Sequence, residues 1–211
     1  MKTKRSTMHR HLLLITLAVL LAGCEQFFGT TKIIHLDATA PMSDQDQKVV
    51  VQRLHEHTST FSPTYNITNS PGKVTILAKG TPDDSSIRYL LSHSGLFRAR
   101  TEGGVVLFSQ DDIVDARAGF DNHQRTALHL KLSKQAGARL AAISSANTGR
   151  FLTAEFDGAI LTSAKIVEPI LEGLLQLTIN RSPEEALMIS TILRSGPLSF
   201  SPTSIQIESQ Q

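Results

Sequence analysis

The sequence has no tryptophan, and aromatic residues make up only 5% of its 211 residues. Sites that stack bases or sugars on aromatic side chains are therefore disfavoured. Cysteine is almost absent as well, since Cys24 is the only one. A disulfide within one chain and a cysteine metal site are both excluded. Hydrophobic residues nevertheless reach 40%, so the chain can bury a core in one large domain or two small ones.

Motifs that carry catalysis are missing too. No glycine-rich loop precedes a predicted helix, and there is no His-Glu-x-x-His. The histidines of residues 55–57 are two apart on a predicted helix, where side chains point about 200° apart, so they cannot easily share a metal ion. Asp111 and Asp112 have no visible partner base, and Ser195 lacks the Gly-x-Ser-x-Gly context. The sequence predicts neither an enzyme nor a bound cofactor.

The first 23 residues have the pattern of a secretory signal. Residues 1–10 contain four basic side chains and no acid, and residues 12–22 are apolar apart from Thr16. Eleven helical residues rise about 16 Å, which is too short for a bilayer core of about 30 Å. We therefore expect residues 1–23 to be a cleaved signal peptide, after which residues 24–31 form a tether.

The end of this segment, Leu-Ala-Gly-Cys at 21–24, resembles a bacterial lipobox. This resemblance implies that Cys24 is lipidated and that several acyl chains anchor the chain to a membrane. Glu25 follows, rather than the aspartate that favours inner-membrane retention, so the outer membrane is slightly favoured over the inner. Loss of four basic residues would change the net charge from +2 to −2, which does not support a nucleic-acid surface.

Hydrophobic periodicity predicts an α+β chain of two ferredoxin-like βαββαβ subdomains. For the first, residues 32–112, we expect two helices and five strands. Thr81 is the expected cap of its second helix. For the second, residues 113–208, we expect strands and helices in a similar order. Within it, Asp157-Gly158 favours a type I′ hairpin turn, and Ser182-Pro183 favours the start of a helix.

Several short motifs in the second half follow one another in a specific order. They are DARAGFD at 115–121, ANTGR at 146–150, FDGAILTSA at 156–164, EPI at 168–170, EEA at 184–186 and ILRSGPL at 192–198. The first half adds VQRL at 51–54, TPDD at 81–84 and LFR at 96–98. Together the motifs extend over nearly the whole chain after the predicted tether.

This succession resembles the first periplasmic domain of SecD, an accessory subunit of the bacterial preprotein translocase. The second half is similar to the head of that domain and the first half to its base. The resemblance implies a base at 32–112 and a head at 113–208. SecD also has membrane helices that use the proton gradient, but no further segment here is apolar for about twenty residues. We therefore expect a periplasmic domain without that motor.

What the resemblance implies about function is binding, because the SecD head holds emerging, unfolded preprotein. A peptide binder needs exposed apolar groups rather than a catalytic set. We expect residues 166–175 to form the contact edge, although strand alternation would turn half or more of its apolar side chains into the core. The candidate residues are Leu161, Ile166, Val167, Ile170 and Leu174.

The expected partners are exported preproteins or subunits of the Sec translocase. An alternative is an envelope assembly protein that uses the same fold to bind one dedicated folded partner, since fold does not fix function. A hydrolase with an unrecognised site is a third and weaker hypothesis.

Overall fold

The computed structural model describes residues 31–38, 41–58 and 63–210. The predicted signal peptide, Cys24 and all of the predicted tether except Thr31 lie outside these residues. Thr31 is the first residue of a strand rather than part of a tether. No helix within the described ranges is long and apolar enough to span a bilayer.

The described chain contains four α-helices and eleven strands. The helices are α1 (Asp44–Glu56), α2 (Asp84–Ser92), α3 (Lys134–Ala146) and α4 (Pro183–Ser195). The strands are β1 (Thr31–Ala38), β2 (Thr64–Ser70), β3 (Lys73–Lys79), β4 (Phe97–Thr101), β5 (Val106–Ser109), β6 (Ile113–Phe120), β7 (Thr126–Leu132), β8 (Phe151–Phe156), β9 (Ala159–Lys165), β10 (Leu174–Thr178) and β11 (Pro202–Gln210). The α+β class is confirmed.

Local capping signals explain where the helices begin. Ser182 caps α4 by accepting from the Glu185 amide, with Pro183 at the first helical position as predicted. For α2 the prediction of Thr81 as the cap is wrong. Asp83 is the cap, because its carboxylate reaches the amides of Ser85 and Ser86. The charged carboxylate of an aspartate strengthens both of these hydrogen bonds, whereas a threonine hydroxyl is uncharged.

The base is a four-stranded antiparallel sheet in the order β11-β1-β3-β2, with α1 and α2 covering one face. This is the ferredoxin-like βαββαβ order, so the expectation for the base is confirmed. The fourth strand is β11 rather than a strand within 96–108, and its Ile207 lies opposite Ile34 of β1. The head is therefore inserted between α2 and the last strand of the base.

The head contains two antiparallel sheets. Its strands form a three-stranded sheet, β10-β7-β6, and a four-stranded sheet, β5-β4-β8-β9. Helices α3 and α4 and both sheets share one apolar core. Strands β4 and β5 pair within this head and β11 pairs within the base, which divides the strands differently from the predicted 32–112 and 113–208. The assignment of these strands to base or head depends on pairing between segments that are distant in sequence.

Two linkers join base and head: an outgoing linker, residues 93–96, and a return linker, residues 196–201. The fully buried guanidinium of Arg53, on α1, donates to the carbonyls of Leu90, His93 and Ser94 on one side. On the other side it donates to Gly196, 2.8 Å from Nη2. One side chain of the base thus holds both linkers at once.

Two carboxylates flank this guanidinium and bind the linkers themselves. Asp157, in the β8–β9 turn, accepts from Ser94 Oγ at 2.5 Å, from the Gly95 amide and from the Leu96 amide at 2.8 Å. Asp46 accepts from the amide and hydroxyl of Ser199. Asp157 and Gly158 both have positive φ, as the predicted turn requires. The turn therefore has a structural task at the junction.

A close approach of two glycines fixes the segment that follows β9. A Cβ at Gly137, in the first half of α3, would lie 3.1 Å from Gly173 Cα. Gly173 also has φ +66°, which glycine adopts without strain. The helix and the chain before β10 can touch only because neither residue has a side chain.

Replacement of Arg53 should destabilise the whole domain. We expect Arg53→Met to lower the free energy of unfolding by about 3 kcal/mol or more, because four carbonyls lose a charged donor in a buried place. Urea denaturation followed by circular dichroism measures this. Gln52→Ala, next to it on the exposed face of α1, should cost less than about 0.5 kcal/mol. Equal losses in the two variants would contradict the linking role of Arg53.

Replacement of Gly137 should displace the chain before β10. We expect Gly137→Val to lower the free energy of unfolding by about 1–3 kcal/mol, because the new methyl groups must push Gly173 away. Ala138→Val, on the exposed face of the same helix, reports the helix propensity of valine alone and should cost about 0.5 kcal/mol. Similar thermal denaturation of both variants would show that the glycine contact is not tight.

Candidate functional site

The candidate residues lie on and beside the segment that connects β9 to β10. We call residues 166–173 the apolar arch. Val167 is 79% exposed, Leu171 is 63% exposed, and Leu174, just after the arch, is 58% exposed. Ile170 is partly buried against the head core. Three large apolar side chains are thus exposed within eight residues of chain.

Two of the candidate residues cannot offer an exposed surface. Leu161 and Ile166 are only 5% and 3% exposed, and both belong to the head core. Strand alternation explains the burial of Ile166 alone, because Leu161 is five residues away and regular alternation would turn it to the opposite face. Leu161 is the extra residue of a bulge in β9, since Ala154 pairs with Thr162 but Glu155 pairs with Ile160. The exposed part of the site is accordingly smaller than predicted.

Hydrogen bonds hold the arch in place at both ends and in the middle. The Ile166 amide donates to the Arg150 carbonyl at 2.8 Å, and the Leu132 amide donates to the Gly173 carbonyl at 2.8 Å. Between them, the Ile170 amide donates to the hydroxyl of the buried Ser144, at 2.9 Å. The apolar side chains of the arch are therefore presented by a fixed main chain.

A cleft runs alongside the arch, between the two sheets of the head. Its walls are β9 and β10, each of which is the last strand of its sheet. We call it the edge cleft. One part encloses about 720 Å³ between residues 161–164 and residues 176–181. A second part encloses about 240 Å³ and extends under the arch, where Leu152, Ile170 and Leu175 line it.

The charges at one end of the edge cleft are neutralised. Arg125 and Arg181 both line it, and they pair with Asp121 at 2.7 Å and with Glu185 at 3.0 Å. Asp121 is buried, which raises the pKa of its carboxyl. Bonds from Arg125, the His123 amide and Thr178 outweigh this and hold the pKa well below its usual range. Asp121 thereby ties the β6–β7 turn to β10.

The acidic and serine side chains considered as catalytic candidates make structural contacts. Nowhere in the described ranges do three histidine, cysteine, aspartate or glutamate side chains come together as metal ligands. Asp112 pairs with Arg139, and Asp115 pairs with Arg117. Ser195 is buried, and its hydroxyl donates to carbonyls of its own helix. The arch and the cleft present apolar side chains and the main chain of two strand edges.

The sequence reasoning missed β10 as a wall of the site. Gln176 and Thr178 lie opposite β9 across the cleft. A signal was available, because the strand reads Leu-Leu-Gln-Leu-Thr, with neither a charge nor a proline. Edge strands commonly carry charged residues or proline, which prevent pairing with another strand. Which strands lie at an edge, however, depends on contacts between distant segments.

Comparison with known families and proteins identifies the head. The family model of the SecDF P1 head subdomain matches residues 98–200. The chain is 23% identical to the protein translocase subunit SecD of Acidaminococcus fermentans over 175 residues, which are 81% of this chain and 42% of that protein. It is 32% identical to the protein translocase subunit SecDF of Thermus thermophilus over 95 residues, which are 45% of this chain and 13% of that protein. The chain thus spans less than half the length of these relatives.

Solved structures of SecDF share the fold of the base as well as the head. A crystal structure of SecDF in a super-membrane-facing form matches 87% of this chain and 31% of its own, with a TM-score of 0.70 and 18% identity. A second SecDF structure, of a membrane component that enhances protein export, matches 83% of this chain and 99% of its own, with a TM-score of 0.64 and 19% identity. Residues 98–200 are therefore similar to the SecDF P1 head subdomain, and the chain has the fold that these SecDF structures share.

Proposed function

We propose that this chain is a non-catalytic accessory of protein export, which faces the periplasm and holds unfolded, exported polypeptide on its head. The observation that carries the proposal is the apolar arch, where Val167 and Leu171 are exposed on a fixed main chain, with the exposed Leu174 just after it and an open cleft beside it. Contiguous exposed apolar side chains mark sites that bind other proteins or ligands. The SecD and SecDF relatives are subunits of a protein translocase, which supports the same reading.

The topology of the base suits an anchor at Cys24. Thr31, seven residues after Cys24, pairs with Gln210 at one end of the base sheet. Ala38 pairs with Pro202 at the other end, where the return linker leads to the head. The eight residues of β1 span about 26 Å at 3.3 Å per residue. A lipid on Cys24 would therefore hold the base near the membrane, with the head on its far side.

Lipidation should depend on Cys24. We expect the wild-type chain, but not Cys24→Ser, to incorporate radiolabelled palmitate and to sediment with envelope membranes. Glu25 favours the outer membrane, so Glu25→Asp should move the protein toward the inner membrane in density fractionation. Unchanged labelling and sedimentation of Cys24→Ser would exclude this anchor, and wild-type protein in the inner membrane would exclude the sorting by Glu25.

The apolar arch should determine the affinity for unfolded chains. We expect the double variant Val167→Ser with Leu171→Ser to bind reduced, carboxymethylated α-lactalbumin about thirtyfold more weakly or worse, because burial of each side chain contributes about 1 kcal/mol or more. Fluorescence anisotropy of the labelled probe measures this. The matched control is Val114→Ser with Leu77→Ser, which removes exposed apolar side chains elsewhere and should leave binding unchanged.

Photocrosslinking in cells distinguishes the proposed partners. A crosslinking residue at 167 or 171 should capture many exported precursors or Sec subunits, whereas one at 77 should not. A single folded partner in stoichiometric amount would instead favour a dedicated assembly role. Absence of any crosslinked polypeptide, with intact protein in the envelope, would contradict both.

A further inference from the structure

We propose that the edge cleft takes up its polypeptide as an added β-strand, which pairs with the open edge of β10. This inference rests on the proposed binding of unfolded polypeptide and specifies how that polypeptide is recognised. The occupant would be an extended segment whose main chain supplies the hydrogen bonds. Recognition would then depend on the backbone, which every polypeptide has, and only weakly on sequence.

The direction of the main-chain groups of β10 follows from its pairing with β7. The Gly173 carbonyl accepts from Leu132, and the Ile179 amide donates to Thr126. In an antiparallel pair, residues whose main chain bonds the partner strand alternate with residues whose main chain faces away from it. Between Gly173 and Ile179, Leu175 and Leu177 therefore also bond β7. Leu174, Gln176 and Thr178 must therefore direct their N–H and C=O groups away from β7, toward the edge cleft. These are the groups that an added strand would bind.

The opposite wall is less suited to pairing. The Ile166 amide donates to Arg150, so Ser163 and Lys165 direct their main-chain groups away from β8. The bulge at Leu161 then interrupts the regular spacing of the edge. Bulges of this kind commonly end pairing at sheet edges. The regular edge of β10 is thus the one that we assign to the occupant.

The side chains around the cleft set a pattern for the occupant. On the core side lie Leu175 and Leu177 of β10 and Leu152 of β8. On the other face Gln176 is exposed. Because side chains alternate along a strand, the cleft fits a segment in which apolar and polar residues alternate.

The probe for this proposal is a fluorescent peptide of ten residues, in which valine and threonine alternate between terminal lysines. A second peptide has the same side chains, but the central amide nitrogens are methylated, so that it cannot donate to a strand edge. We expect the methylated peptide to bind about tenfold more weakly or worse, because hydrogen bonds to the edge are lost.

A variant of the protein tests the same contact from the other side. Gln176→Pro removes one outward N–H and places a ring at the edge, while the bonds between β10 and β7 do not involve this residue. It should weaken binding of the unmethylated peptide by about tenfold. Gln176→Thr keeps the N–H and should bind as the wild type does. Circular dichroism and the melting temperature show whether the proline variant is folded.

The outcomes separate the two proposals. Equal binding of methylated and unmethylated peptides would overturn strand addition and leave polypeptide binding at the arch intact. Failure of both peptides and of carboxymethylated α-lactalbumin to bind would overturn both. If Gln176→Pro only abolished self-association of the protein, the edge would belong to a second copy, and strand addition by exported polypeptide would be wrong.

Discussion

The buried guanidinium of Arg53 is the interaction on which the relation between base and head depends. It donates to one carbonyl at the end of α2, to two in the outgoing linker and to one in the return linker. Burial lowers the pKa of Arg53 to about 10, and the nearby carboxylates of Asp157 and Asp46 oppose that shift. The side chain therefore stays charged at neutral pH, as four donated hydrogen bonds require. The same two carboxylates bind the linkers directly, so a compact charged cluster fixes both chain crossings.

This arrangement explains how a head can be inserted into a small sheet domain without loosening it. The base can complete its sheet only if the chain returns to the edge beside β1 after about a hundred residues. At that point the Leu198 amide donates to the Ser94 carbonyl, so the return linker also binds the outgoing one. Arg194, near the end of α4, reaches Glu56 at the end of α1 and adds a partly exposed ion pair. These polar contacts hold the two subdomains as neighbours, together with Leu90 of α2, which packs into the head core.

Most local signals could be predicted from sequence, although the cap of α2 was not, whereas contacts between distant segments could not be predicted. Asp157-Gly158 predicts its turn, and Ser182-Pro183 predicts its helix start, because both signals act within four residues. The place of β11 beside β1 depends on pairs such as Ile34 with Ile207, which are far apart in sequence. The sequence also did not predict which candidate residues are buried in the core and which are exposed. Val167 and Leu161 are both apolar and close in sequence, yet a bulge and the end of a strand turn them to opposite environments.

The edges of the three sheets show why β10 stands apart. Strands β5, β9 and β11 each carry an extra residue relative to their partners, and β11 also begins with proline. At the β6 edge there are a register shift, two charged side chains and Arg194, which donates to the Ala116 carbonyl. The regular edge of β2 is rich in asparagine and serine, which disfavour strands. Only β10, among the described edges, is regular, uncharged and rich in leucine. An edge of this kind promotes aggregation unless it is used, and its position between the arch and the cleft makes pairing with a bound chain the use that the surrounding structure favours.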